Sequence, residues 1–66
     1  MKNNIKIERA RHNLTQADLA KKIDVSRQSV NAIEKGKYVP STILALKISK
    51  LFKLTVEDVF YLEPED

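Results

Sequence analysis

Three short stretches of the chain follow one rule. Leu14-Thr15 is followed by Leu19, Val25-Ser26 by Val30, and Leu54-Thr55 by Val59. In each, an apolar residue precedes Ser or Thr, and a second apolar residue lies five positions after the first. This is the pattern of a hydrophobic staple around a helix N-cap. The hydroxyl takes one of the orphan backbone N–H groups, and the flanking apolar pair fixes the angle at which the chain arrives. Asp18 and Asp58 stand at the third helical position of two of the three stretches. There they approximate a capping box and complement the positive helix end. Pro40-Ser41 marks a fourth start, and Gly36 fits the left-handed position that ends a helix.

These signals predict five helices, at residues 5–12, 16–23, 27–35, 42–52 and 56–61. Apolar residues recur at spacings of three and four, the helical period. Connections of two to six residues leave little choice but a compact all-α bundle. Lys2 to Asn4 is a candidate short strand that pairs with Tyr61 to Glu63, and the acidic tail from Leu62 to Asp66 is expected to fray. At 66 residues the chain is one domain at most. So small a domain is marginal alone. With no cysteine and one histidine, neither a disulfide nor a metal site is expected to staple it. Its stability must come from helix packing, from oligomerisation, or from both.

The absence of cysteine fits a reducing compartment. No secretory leader is evident, and the longest apolar runs are far too short to span a bilayer. A soluble, cytoplasmic protein is expected. Charge is unevenly spread. Residues 1–37 hold nine Lys/Arg against four acids, a balance of +5, and residues 38–66 hold three against five, a balance of −2. A basic N-terminal part suits a polyanion such as nucleic acid, although a solvated surface has the same composition.

Helices 2 and 3 are joined by Asp24-Val25-Ser26. Two short helices joined by such a turn form a helix-turn-helix unit, which also occurs in bundles that bind no DNA. Stepping about 100° per residue from Arg27 places Gln28, Asn31, Ala32 and Lys35 in an arc of roughly 140°. Val30 and Ile33 fall on the opposite side and belong to the core. The outward residues match base-reading chemistry. Arg pairs in two-pronged fashion with guanine O6/N7, and Asn or Gln with adenine N6/N7. Arg27 and Gln28 occupy the first turn, from which recognition helices mainly read bases. A solvated helix face is the commoner fate of such residues. Against it, this face has no acid until Glu34, at its edge.

The stretch LTQADLAKKIDVSRQSVNAIEKGKYVPS, Leu14 to Ser41, resembles the helix-turn-helix of the Cro/cI repressor superfamily, of the xenobiotic-response-element type. It carries Leu14-Thr15-Gln16 and Leu19-Ala20 in helix 2, Val25-Ser26 before helix 3, and Ile33-Glu34 with Gly36 and Pro40 after it. The resemblance extends over Met1 to Asp66. It implies a lambda-repressor-like five-helix bundle that binds a pseudo-palindromic operator as a homodimer. By the same resemblance, Arg27, Gln28 and Asn31 or Ala32 match base-reading positions. Relatives often carry a longer side chain at Ala32. Gln16 matches a glutamine that binds phosphate and whose amide bridges to Gln28. Ser26 matches the cap of the recognition helix. Ser29 and Lys35 to Tyr38, with Lys37 among them, match phosphate contacts, joined by the helix 1 cations, Arg11 among them. Arg9 and Glu34 match a buried ion pair.

Helix 4 carries too many apolar residues for one buried face. Leu44, Ala45, Ile48, Leu51 and Phe52 fall within roughly 120° and suffice as a core stripe. Ile43 and Leu46 lie outside it, flanking Lys50, and Val39 precedes them on a loop. An apolar set with no core to join suggests a partner surface, although single exposed apolar residues are ordinary. Homodimerisation is expected through Val39, Ile43 and Leu46, with Leu54 and Tyr61 contributing.

Enzymatic chemistry is not expected. His12 stands alone, as a helix 1 cap or a phosphate neighbour, and Glu57-Asp58 is explained by its helix start. No cofactor, metal or small-molecule ligand is implied. The competing reading is a helix-turn-helix module whose main partner is another protein, as in an antitoxin or antirepressor. A DNA-binding subunit without a regulatory role is a further alternative.

Overall fold

A computed structural model describes all 66 residues, Met1 to Asp66. Two short strands and five helices follow in the order β1 (Lys2–Asn3), α1 (Ile5–Arg11), α2 (Gln16–Ile23), α3 (Arg27–Glu34), α4 (Thr42–Leu51), α5 (Val56–Val59) and β2 (Phe60–Tyr61).

Each of the last four helices starts where a hydroxyl was expected to cap it. The side chains of Thr15, Ser26, Ser41 and Thr55 accept the backbone N–H of Asp18, Ser29, Leu44 and Asp58. Both acid-containing starts close as full capping boxes, with Asp18 and Asp58 returning the bond to the cap backbone. The Thr15 N–H in the box holds the Asp18 carboxyl below the usual aspartate range.

The helix ends share a second device, of which the sequence showed one case. Gly36 has φ +73°, its N–H bonds to the Ile33 carbonyl, and the N–H of Lys37 bonds to that of Ala32. That pair of bonds is a Schellman motif. The same pattern ends α1 at Asn13, α2 at Asp24 and α4 at Lys53, all with φ between 55° and 60°. At these three ends the next residue, Leu14, Val25 or Leu54, packs on the core. One apolar side chain thus closes one helix and staples the start of the next. That double use lets three turns be so short.

The core is a single cluster that includes Ile5, Leu19, Ile23, Val30, Ile33, Leu44, Ile48, Phe52 and Val59. Leu51, expected in the core stripe, is half-buried at the end of α4. The terminal strands pair antiparallel, Lys2 with Tyr61 and Asn3 with Phe60. Helix 5 is therefore shorter than 56–61. Phe60 is extended, and this lets it bury its ring while its backbone pairs with Asn3. Asn3 also donates its side-chain amide to the Ile33 carbonyl at 2.8 Å, which ties the strand pair to the end of α3. The acidic tail, expected to fray, is folded back. The Met1 ammonium lies 3.2 Å from Glu63 and 2.9 Å from Asp66, and these carboxylates raise its pKa.

Candidate nucleic-acid interface

The α2–α3 pair is set by the turn at Asp24. Its left-handed backbone lets the Val25 N–H reach the Ala20 carbonyl at 3.0 Å, and Ser26 then caps α3 directly. Val30 and Ile33 are 1% exposed, so the inner face of α3 is fixed against the core. Its outer face follows from the 100° step: Arg27, Gln28 and Lys35 are exposed, and Asn31 and Ala32 are half-buried at the margin.

The outward side chains fall into two kinds. The side-chain hydrogen bonds of this region run through Gln16, Ser26, Ser29, Asn31 and Glu34, and they bypass Arg27 and Gln28. Those two remain available to a partner. Asn31 is tethered. The Gln16 Nε2 lies 3.2 Å from Asn31 Oδ1 and 3.1 Å from Glu34 Oε1. The bridge expected between Gln16 and Gln28 is replaced by this one. Asn31 and Glu34 lie one turn apart on the side of α3 that faces the start of α2, whereas Gln28 is exposed at the other end.

Behind this network stands the Arg9–Glu34 pair. Arg9 grips the carboxylate with Nε at 2.6 Å and Nη2 at 3.1 Å, and its Nη1 donates to the Leu14 carbonyl at 3.0 Å. The two side chains are 14% and 8% exposed. Hydrogen bonding to Glu34 raises the Arg9 pKa further, so the guanidinium stays charged. The pair joins α1 to the end of α3 and fixes the angle of the helix.

The other expected phosphate contacts lie at the two ends of α3 and on α1. Ser26 and Ser29 share a hydroxyl contact of 2.9 Å at the start of α3. Lys35, Lys37 and Tyr38 are exposed around the Gly36 turn. Arg11 is exposed but donates to Glu8 at 2.9 Å, which offsets part of its charge. Glu8 is buried, which no local pattern in the sequence signals. His12 caps α1, with Nδ1 2.9 Å from the Glu8 carbonyl and its ring 5.2 Å from that of Phe52. No group of three or more His, Cys, Asp and Glu side chains converges to hold a metal. No helix is long and apolar enough to cross a membrane.

Residues 5–59, which take in all five helices, match the helix-turn-helix family. The chain belongs to that family, in its Cro/cI type. Its relatives are alike from end to end. An uncharacterised helix-turn-helix-type transcriptional regulator of Methanocaldococcus jannaschii is 59% identical over 66 residues that span both chains. The Bacillus subtilis regulator YgzD, named in the same terms, is 54% identical over the whole of both chains. A third, from Archaeoglobus fulgidus, is 44% identical over all of this chain and 93% of its own.

A second surface of this helix-turn-helix protein is apolar. Val39, Ile43, Leu46 and Tyr61 are exposed, at 63%, 69%, 54% and 44%. Leu54, expected beside them, is half-buried and packs on the core, because it also closes α4. Leu62, at 75%, is an exposed apolar residue that helical periodicity could not assign, since it follows the strand.

Proposed function

We propose that this chain is a sequence-specific regulator of transcription that binds double-stranded DNA, with α3 in the major groove. The observation that carries this reading is the outer face of α3. Arg27 and Gln28 stand free in its first turn, on a helix whose inner face and C-terminal end are both held in place. Recognition helices read base edges from that turn, and Arg and Gln are suited to guanine and adenine edges. Ser26, Ser29, Lys35, Lys37, Tyr38 and Arg11, at the two ends of α3 and on α1, serve as phosphate contacts, which fix register and supply most of the affinity.

The working unit is a homodimer joined through Val39, Ile43 and Leu46, with Tyr61 and the edge of Leu54. A two-fold dimer sets its recognition helices about 34 Å apart, one turn of B-DNA, and so requires a pseudo-palindromic operator. Repression needs only that the dimer occupy its operator. The protein works in the cytoplasm and needs no cofactor.

In vitro selection of bound DNA from a random pool tests this directly. A two-fold symmetric consensus is expected. Enrichment of no sequence would overturn base reading, and a single unrepeated half-site would overturn the dimer.

A further inference from the structure

Asn31 can meet DNA with either end of its amide, and the structure determines which. The starting point is a fixed charge. Glu34 is gripped by the Arg9 guanidinium at two atoms, and a guanidinium only donates. Glu34 is therefore an ionised, acceptor-only group. The Gln16 amide atom that faces Glu34 Oε1 at 3.1 Å must be the donor, Nε2. The same nitrogen faces Asn31 at 3.2 Å, so the Asn31 atom there must be the acceptor, Oδ1. Amide orientations are assigned from their networks, and here the network begins at an ion pair and has one solution.

Two consequences follow. Both hydrogens of Gln16 Nε2 are used within the chain, so its side chain has no donor left for a phosphate. Asn31, with its oxygen turned to Gln16, has its Nδ2 left for the groove.

We propose that Arg9, Glu34 and Gln16 are positioning residues that make Asn31 a donor toward DNA, so that it selects an acceptor edge. Guanine, with O6 and N7 together, suits an NH2 group best. The amino groups of adenine and cytosine find no acceptor there. This inference rests on the proposed placement of α3 in the major groove.

Parallel selections with the wild type, Asn31→Ala and Gln16→Ala provide the test. The position read by Asn31 is the one that Asn31→Ala levels. The wild type is expected to enrich guanine there. With Gln16→Ala the amide is free to turn, and adenine and cytosine should recover by about fivefold or more, while the position read by Arg27 keeps its preference. An unchanged guanine preference in Gln16→Ala would overturn the relay and leave DNA reading intact. Side-chain amide hydrogen exchange tests it in the free protein, whatever the selections give. The Gln16 amide should exchange more slowly than that of Gln28, and the Asn31 amide should not be slowed. Slow exchange at Asn31 with fast exchange at Gln16 would overturn the assignment.

Discussion

The outer faces of α3 and α4 differ although their inner faces are alike. Val30 and Ile33 bury one helix as Leu44 and Ile48 bury the other. Outward, α3 presents Arg27, Gln28, Asn31 and Lys35, whereas α4 presents Ile43 and Leu46, with Val39 just before it. The polar face is held from behind by an ordered chain of bonds, Arg9 to Glu34 to Gln16 to Asn31. The apolar face has no such support. The reason is physical. Hydrogen bonds are directional, so a polar face must be aimed before it can discriminate. Apolar burial is non-directional, so exposure of the right area is enough.

The largest effect should come from removing the support of the polar face. Arg9→Ala removes the ion-pair partner of the Glu34 side chain, which is 8% exposed beside Arg9. Breaking a buried pair from one side costs about 3–5 kcal/mol, a large share of the stability of a domain this size. Urea unfolding should show that loss. The double change Arg9→Met with Glu34→Met should recover most of it, because neither charge is then stranded. If the double variant is as unstable as the single one, the loss does not come from a stranded charge. The apolar face is tested by Leu46→Lys. Placing a charge on it should weaken self-association by about 3 kcal/mol without changing the fold. Sedimentation is expected to show a dimer for the wild type and a monomer for the variant. An unchanged mass would mean that α4 is not the dimer surface.

How much of this was legible in the sequence depended on how local each cause was. The helix starts were legible because a cap and its staple lie within five residues, and Thr15, Ser26, Ser41 and Thr55 all cap as the pattern implied. The helix ends were less so. Three of the four left-handed residues are Asn13, Asp24 and Lys53, and only Gly36 carried the signal. The outward direction of Arg27 and Gln28 follows from periodicity alone. The link from Gln16 to Asn31 does not, because it needs the distance between two helices. One clue was available: Asn31 and Glu34, three apart, share a side of α3, and a glutamine at the start of α2 is placed to meet both.

A smaller effect separates the free residues of α3 from those around it. Arg27→Ala and Gln28→Ala should each cost about 1–3 kcal/mol on cognate DNA and little on random DNA. Lys37→Ala should weaken binding to both alike and reduce the salt slope by about one. Titrations at several salt concentrations check both statements. If Arg27→Ala lowers affinity for cognate and random DNA equally, the distinction between reading and positioning residues fails.

The smallest effect concerns the turns that follow α2 and α4. Asp24 and Lys53 have nearly the same backbone, φ 60° and 59°, and make the same closing bonds. Their side chains differ in how well they tolerate it. A left-handed residue other than glycine costs about 1–2 kcal/mol, and a short polar side chain such as aspartate lowers that by bonding locally. Glycine removes the strain but adds freedom to the unfolded chain, worth about 0.5–1 kcal/mol. Lys53→Gly should therefore stabilise the fold by about 0.5 kcal/mol, and Asp24→Gly should change it by less. Paired thermal melts resolve the difference. A greater gain at Asp24 than at Lys53 would show that the turn between α2 and α3 is the more strained of the two.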